Sequence, residues 1–140
     1  MIKDKKGGAT LEFALTSIIP IAILITIYMS VVIFGAIKAT DEAAREAART
    51  YARFYALDIA KAKTLAQASA KNAFVAKAPP GSTFIMNNVK FYESNGVSSL
   101  YKNITASVET RARVPFIGEQ SFIRSYTFPL EAYKRKEKLW

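Results

Sequence analysis

The side chains that most often carry enzyme chemistry are absent from this sequence. The 140 residues include no cysteine and no histidine. A disulfide scaffold, a thiolate metal site and a cysteine nucleophile are therefore excluded, and the usual general base near neutral pH is missing. The sequence also has no Walker-type loop, no glycine-rich phosphate cradle and no cluster of carboxylates. We therefore predict a protein that is not an enzyme and that uses no cofactor and no metal.

One carboxylate occupies an unusual position. Glu12 directly precedes residues 13–37, a run of 25 residues without a charged side chain. As a helix this run would be about 37 Å long, against a hydrocarbon core of about 30 Å, so it can cross a bilayer with some tilt. A carboxylate at the edge of hydrocarbon costs several kcal/mol unless it is paired or reaches water. Glu12 therefore predicts a partner for its charge. The simpler alternative is a helix capped by Thr10 with Glu12 in its first turn.

The apolar run predicts a single membrane helix over residues 8–38. Pro20 lies inside the run and predicts a kink, because neighbouring groups in a membrane helix can satisfy the freed carbonyl. The run is longer than the apolar region of a secretory signal, roughly 7–15 residues, although Phe34-Gly35-Ala36 has the small residues of a cleavage site. An ordinary membrane anchor is the main alternative to a more specific role. The hydroxyls of the run are expected to bond back to the helix backbone: Thr16, Ser17, Thr26 and Ser30.

The charges on the two sides of the run are nearly balanced. Lys and Arg outnumber Asp and Glu by 20 to 11 in a chain that is 51% hydrophobic, which indicates two unlike halves. Residues 1–7 form a short basic leader with three lysines, which the positive-inside rule favours in the cytoplasm. Four cations lie just beyond the run, at Lys38, Arg45, Arg49 and Arg53. Charge alone therefore does not fix the orientation.

The sequence Lys6-Gly7-Gly8-Ala9-Thr10-Leu11-Glu12-Phe13-Ala14-Leu15 resembles the processing site of type IV prepilins. In that family a prepilin peptidase cuts after the glycine on the cytoplasmic side of the membrane. The resemblance implies a cut between Gly7 and Gly8, which makes Glu12 the fifth mature residue; a cut after Gly8 would make it the fourth. It also implies that Glu12, with Phe13 beside it, forms the assembly site and pairs with the new N-terminal amine of an adjacent subunit.

A second block refines this resemblance. Ala43-Ala44-Arg45-Glu46-Ala47-Ala48-Arg49 is similar to the Ala-Ala-Arg-Glu-Gly-Ala-Arg stretch that follows the membrane helix in TadE-like pilins of tight adherence systems. Ala47 stands where the family often has glycine, which should only stiffen the helix. The likeness covers roughly Lys5 to Arg53. It implies a TadE-like minor pilin or pseudopilin, a structural subunit of a type IV-like pilus or a related secretion apparatus.

The family also implies partners, a location and a fold. The expected partners are other pilin subunits, the prepilin peptidase, membrane lipid and, indirectly, a membrane platform with a secretion ATPase. The expected location is a single-pass membrane protein with its N-terminus in the cytoplasm and its C-terminal region outside, or in an extracellular filament. The expected fold is α+β and pilin-like, with a long N-terminal transmembrane helix that extends into an amphipathic helix packed on a small antiparallel sheet.

Helical spacing continues over residues 39–78. Asp41, Glu42 and Glu46 precede arginines by three or four residues, which predicts ion pairs on an exposed helix face. Pro79-Pro80-Gly81 ends the helical region. Asp58 is a candidate N-cap, which leaves open whether the region is one helix or two. Small or apolar residues recur at helical spacing: Ile37, Thr40, Ala44, Ala47, Tyr51 and Tyr55.

Residues 82–133 change to the two-residue period of a sheet with about three strands. Residues 83–93 predict a weak strand, followed by a turn at Ser94-Asn95-Gly96. The strongest strand has an apolar face made of Ile104, Ala106, Val108, Ala112, Val114 and Phe116. Residues 122–132 predict a third strand, with Tyr126, Phe128, Leu130 and Ala132 on one side, and Pro115 and Pro129 mark strand ends or edges.

Positive charge in the second half supports a different class of function. Residues 134–140 form a basic tail, and Arg111, Arg113 and Arg124 are expected on the wet face of the sheet. A basic face of this kind favours an anchored envelope protein that recognises DNA or an anionic surface polymer. The sequence contains no known nucleic-acid motif and no ordered aromatic platform, so nucleic acid is the weaker partner and other pilin subunits are the stronger one.

Overall fold

The structure is a computed structural model that describes residues 3–95 and 102–130. The α+β class expected from the sequence is confirmed. The predicted basic tail 134–140, Ala132 of the third strand, Gly96 of the turn and the first two residues of the leader lie outside the described residues. In chain order the elements are α1 (Lys3–Phe54), α2 (Ile59–Lys77), β1 (Ser82–Phe84), β2 (Lys90–Asn95), β3 (Lys102–Val114) and β4 (Gly118–Pro129).

The helix α1 is continuous over 52 residues, from the basic leader through the apolar run and the alanine-rich block. Pro20 lies within α1 and does not end it. After Phe54 the chain makes a turn, and Asp58 begins α2 as its N-cap, with the carboxylate accepting from the Ala60 amide at 2.9 Å. The region beyond the apolar run is therefore two helices, because the cap supplies a second helix start.

The sheet is built around β3. The strands β1 and β2 both pair antiparallel with β3 along one edge, and β4 pairs with β3 along the other. A single 3₁₀ turn, Met86–Asn88, separates β1 from β2. The predicted weak strand over residues 83–93 is thus divided in two, which raises the number of strands from about three to four. Asn87 and Asn88 favour such a turn over continuous strand pairing.

The inner face of β3 packs against the helices. Its buried side chains alternate as predicted, and they include Thr110, whose hydroxyl bonds to that of Thr40 in α1. The prediction that Phe116 continues this face is wrong. The strand ends at Val114, and Phe116 lies in the β3–β4 turn with φ 66° and 83% of its surface exposed. Pro115 has no amide hydrogen for the ladder, so pairing stops before Phe116.

Alanine is the commonest buried residue where the two helices and the sheet meet. Small side chains allow helix axes to approach closely, and every buried alanine here is at most 2% exposed. Aromatic rings close the two ends of this core, with Tyr51 stacked on Phe91 at 4.3 Å between centroids and Phe74 against Phe84 at 5.7 Å. The alanines are Ala36, Ala39, Ala43, Ala44, Ala47, Ala48 and Ala52 in α1, Ala62, Ala66 and Ala70 in α2, and Ala106 and Ala112 in β3.

Burial in α1 begins at Val32, which is 8% exposed. We call the folded part of the chain the head: residues 32–54 of α1, together with α2 and the four-stranded sheet. The part of α1 before residue 32 carries the predicted processing and assembly residues. The head therefore begins inside the apolar run, where Val32 and Ala36 are buried and Phe34 stays 64% exposed.

Candidate functional site

Before residue 32, α1 presents apolar side chains on all sides. Leu11 is 64% exposed, Phe13 75% and Val31 64%. Residues 11–31 rise about 30 Å along the helix, which equals the thickness of a bilayer's hydrocarbon core. Within the described residues, α1 is the helix long and apolar enough to cross a membrane, and 6% of its most apolar window is buried. The other large side chains that are more than half exposed are Leu15, Ile18, Ile19, Ile21, Ile23, Leu24, Ile27 and Tyr28.

The four Ser and Thr hydroxyls of the apolar run all bond to the helix backbone, as predicted. Thr16 donates to the Glu12 carbonyl at 2.5 Å and Ser17 to the Phe13 carbonyl at 2.7 Å. Thr26 and Ser30 make the same bond to the carbonyls four residues earlier, each at 2.8 Å. A hydroxyl that is satisfied within its own helix needs no water, so these polar residues are compatible with a lipid environment.

The predicted processing residues lie in exposed helix. Gly7 and Gly8 are both helical, and a Cβ atom built on either would meet no atom within 4 Å. Packing therefore does not require glycine at these positions. What two adjacent glycines do here is weaken the helix, by about 0.8–1.0 kcal/mol each relative to alanine. The segment between leader and apolar run is thus both accessible and easier to unwind than the helix around it.

Glu12 is exposed and lies in the third turn of α1. The alternative that Thr10 caps the helix is wrong, because α1 already begins at Lys3. The helix dipole acts mainly within the first turn, so it favours the Glu12 carboxylate little in the uncut chain. In a chain beginning at Gly8, the new amine and Glu12 would lie four residues apart on one helix face, close to the positive helix end.

In the alanine–arginine block after the run, residues 43–49, the alanines are buried and the arginines are exposed. Ala43, Ala44, Ala47 and Ala48 are all completely buried, which explains why a small residue is needed at each position. The arginines of the block point outward. Arg45 lies 3.6 Å from the Asp41 carboxylate, as the spacing predicts, and its guanidinium is 5.2 Å from the centre of a tyrosine ring of β4, that of Tyr126.

One predicted pair of this helix is replaced by a tertiary contact. Glu42 was expected to pair with Arg45, but its carboxylate accepts a 3.0 Å hydrogen bond from Lys77 near the end of α2. This bond and the charge of Lys77 lower the pKa of Glu42, and the charge of Arg45 adds to the effect. The ion pair joins α1 to α2 near the same end of the head at which Gly35 packs against Pro79.

The predicted basic face of the sheet is divided. Arg111 and Arg113 point to the outer face, but Arg124 is in register with buried Val108 and therefore lies on the helix side. The prediction that all three share one face is wrong for Arg124, because the two-residue alternation of β4 puts Arg124 on the same side as Tyr126 and Phe128, which pack against the core. Glu119 is the register partner of Arg113, so acid interrupts the remaining basic surface.

A carboxylate that sequence analysis did not single out lies at the centre of the outer face. Glu109 accepts hydrogen bonds from the Asn88 side chain at 2.6 Å and from the Ser121 hydroxyl at 2.9 Å. The Ser121 bond and then the Asn88 bond lower the pKa of Glu109, assisted by the charges of Arg111 and Lys90. Both donors are satisfied within the sheet, so this group fixes the 3₁₀ turn and β4 to β3.

The described residues offer no arrangement of side chains typical of a metal site. Within residues 3–95 and 102–130, no three Asp or Glu side chains come together as a metal site would require. Comparison with family models, with curated proteins and with solved structures gives no match to the chain. The exposed apolar helix and the residues at its N-terminal end are therefore the candidate functional site.

Proposed function

We propose that this chain is a TadE-like minor pilin or pseudopilin, a structural subunit of a type IV-like tight adherence pilus or of a related secretion apparatus. One observation carries the proposal. Gly7, Gly8 and Glu12 lie at the N-terminal end of an exposed apolar helix that continues without interruption into the head. In this proposal residues 11–31 cross the membrane, the N-terminus is cytoplasmic and the head is outside.

Processing is the first step of the proposed function. A prepilin peptidase would cut between Gly7 and Gly8 and remove the basic leader. A peptidase needs extended chain, so α1 must unwind locally before the cut. The glycine pair lowers the free energy needed for that unwinding, and the absence of neighbouring atoms around both residues leaves room for the enzyme.

Assembly depends on the charge of Glu12. After the cut, the amine of Gly8 is a cation at the edge of hydrocarbon, and the Glu12 carboxylate of an adjacent subunit would neutralise it. Two charges that are each costly in lipid thereby become one paired site, which registers the subunits against each other. The uncut leader would place peptide in the position of the amine, so processing and assembly are linked.

The exposed span and the head have different tasks in the assembled state. Apolar side chains on every side of residues 11–31 would pack against the spans of other subunits once these replace lipid. The head, held to α1 by buried alanines, would face outward. The sequence has no nucleotide-binding loop, so a secretion ATPase acting through a membrane platform would supply the energy for extraction.

Intact mass spectrometry of the membrane-extracted protein tests the processing step. Co-expression with a prepilin peptidase is expected to remove residues 1–7, and a cut after Gly8 would differ by the mass of one glycine. Gly7→Val should block the cut, whereas Gly8→Val should allow it if the cut follows Gly7. A chain that keeps its leader in the presence of active peptidase is a permanent membrane anchor, and the proposal fails.

A Glu12→Val variant tests the assembly step. It is expected to be inserted and processed normally, yet to be missing from filaments, because the amine of the neighbouring subunit has lost its counter-charge. Thr16→Val is the matched control, since it also replaces a polar side chain of α1 with valine, one helical turn further on. Normal filaments from Glu12→Val would refute the pairing role even if processing is confirmed.

A further inference from the structure

The turn between β3 and β4 ends in two exposed apolar side chains. Phe116 is 83% exposed and Ile117 is 55% exposed, between Pro115 and Gly118. The backbone at Phe116 has φ 66°, a left-handed conformation that bulky residues rarely adopt. The turn therefore holds an aromatic and an aliphatic side chain away from the core, toward the surroundings of the head. We refer to residues 115–118 as the hairpin tip.

The position of the hairpin tip along α1 follows from two contacts between α1 and β3. Thr110 bonds to Thr40, and Ile104 belongs to the same buried cluster as Tyr51. The six residues from Ile104 to Thr110 of β3 therefore span about the same distance as the eleven residues from Tyr51 back to Thr40 of α1. The two elements run in opposite directions. The same proportion places Phe116, six residues beyond Thr110, at about the level of residue 29 of α1.

Burial along α1 agrees with this placement. Val114, the last residue of β3, is 1% exposed, and Val32, at the level the proportion assigns to it, is 8% exposed. The head therefore begins to cover α1 at Val32, and the hairpin tip, beyond Val114, lies about one helical turn closer to the N-terminus of α1.

This level falls inside the exposed apolar part of α1. Residues 11–31 match the hydrocarbon thickness, so residue 29 lies near the outer boundary of the hydrocarbon layer when these residues cross a membrane. The hairpin tip is then at the same depth as the last lipid-facing turn of the helix. Phe116 and Ile117 are of the type that enters the boundary between hydrocarbon and headgroups.

Charged side chains above the hairpin tip fit the headgroup layer. Arg113 and Arg111 are exposed on the outer face of β3, three and five residues before Phe116. Lys38, also exposed, lies at a similar level on α1. Glu119 lies opposite Arg113, and Glu109 lies two residues from Arg111 on the same face, with its carboxylate already bonded by Asn88 and Ser121. The exposed Arg113 and Lys38 side chains are of the type that contacts lipid phosphates.

We propose that the hairpin tip is a second membrane contact, in which Phe116 and Ile117 enter the outer leaflet beside the span of α1. A single helix leaves the head free to tilt and to rotate about the span. A second contact at the same depth fixes both movements, so that each subunit presents one defined side of its head before it is extracted. The inference rests on the membrane placement in the proposed function, but on neither cleavage nor assembly.

Depth-dependent quenching of tryptophan fluorescence tests this contact. Trp140 is the single tryptophan of the chain, so a Trp140→Phe background reports one introduced site at a time. The full chain is reconstituted in vesicles of phosphatidylcholine and phosphatidylglycerol, with or without bromine on the acyl chains. Phe116→Trp and Ile117→Trp report the hairpin tip, and having both guards against a local disturbance at either residue.

Two further variants give the quenching expected for a residue in the bilayer and for a residue in water. Ile27→Trp reports the span, and Leu57→Trp reports an 80% exposed apolar residue in the turn between α1 and α2, at the opposite end of the head. Both tip variants are expected to lose fluorescence in brominated lipid and to emit at shorter wavelength. The Ile27→Trp protein should be quenched as well, and the Leu57→Trp protein should be unaffected.

The other outcomes separate this inference from the proposed function. If Ile27→Trp is quenched and both tip variants behave like Leu57→Trp, the hairpin tip lies in water and the inference is overturned, while the span stands. If Ile27→Trp is also unquenched, α1 does not cross the membrane and the proposed function fails. Tip variants that emit at short wavelength but resist bromine, and that change when excess lipid dilutes the protein, would mean that a second copy of the chain occupies the tip.

Discussion

The hydroxyl oxygens of Thr40 and Thr110 lie 2.6 Å apart in the fully buried contact between α1 and β3. The Thr40 hydroxyl also donates to the Ala36 carbonyl at 2.7 Å. Because a hydroxyl has one hydrogen, Thr110 must donate to Thr40. This polar bond amid buried alanines sets the position of the sheet along the helix, since a shift by one turn would leave the buried Thr110 hydroxyl without its acceptor.

Valine substitutions at these two positions are expected to be unequal. Thr40→Val leaves the buried Thr110 hydroxyl without its acceptor and should cost about 1–3 kcal/mol in the free energy of unfolding. Thr110→Val should cost about 0.5–1.5 kcal/mol, because Thr40 keeps its bond to Ala36. Denaturant unfolding of the full chain in detergent, followed by the near-ultraviolet circular dichroism of the head, measures both values.

The double variant completes the cycle. Replacing both partners removes the donor together with its acceptor, so the combined cost is expected to be smaller than the sum of the single costs. Additive costs would mean that the two hydroxyls are not coupled, and the bond would then have no role in positioning the sheet.

The close contact between α1 and α2 predicts strong sensitivity to size. Ala66 is completely buried between the helices, so Ala66→Leu should destabilise the head by about 1–3 kcal/mol through overpacking. Ala68→Leu is the matched control, because the same substitution two residues away lies on the exposed side of α2. Thermal unfolding of the two variants should differ clearly; equal effects would contradict the buried alanine contact.

The environment of Glu109 predicts a loss of stability in acid. Hydrogen bonds from Ser121 and Asn88 lower its folded-state pKa below the ordinary value of 4.5. The unfolded chain therefore binds more protons, and the stabilisation is present above that value and is lost as the pH falls through the folded pKa. Glu109→Gln removes this titration, so its unfolding free energy should fall less steeply in acid than that of the parent chain. Identical acid profiles would show that the bonds do not favour the ionised form.

Tyr55 predicts the opposite behaviour in alkali. Its hydrogen bond to Glu93, followed by burial, raises the pKa of Tyr55 from 10.0 to about 12. The folded state holds the phenolic proton more tightly, so the stabilisation is present below the unfolded value and is lost as the pH rises from 10.0 to about 12. Burial also raises the pKa of Tyr51, so the absorbance of tyrosinate should show a late step that becomes smaller, by one tyrosine, in Tyr55→Phe. Glu93→Gln should move that step to lower pH; an unchanged step would exclude the bond to Glu93.

Much of the fold was predictable because it depends on local signals. The absence of charge over residues 13–37 predicts a long apolar helix, and Asp58 is an N-cap that the sequence shows directly. The alternation along β3 identifies its inner face up to Val114. The division of the first strand into β1 and β2 was not predicted, because a 3₁₀ turn of three residues is too short to change the period.

The candidate site was also predictable from local sequence signals. Gly7, Gly8 and Glu12 are adjacent in sequence to the run that makes them informative, so spacing alone brings them together. The hairpin tip was missed because Phe116 continues the apolar alternation of β3 in sequence. Pro115 and the positive φ at residue 116 remove it from that face.

By itself the sequence determined the apolar helix, the residues at its N-terminal edge and the inner face of the central strand, since each depends on neighbours a few residues away. Only the tertiary structure decided the partner of Glu42 and the depth of Phe116 along α1. Both depend on how separate elements pack, because a contact across the core joins residues whose separation along the chain carries no periodic signal.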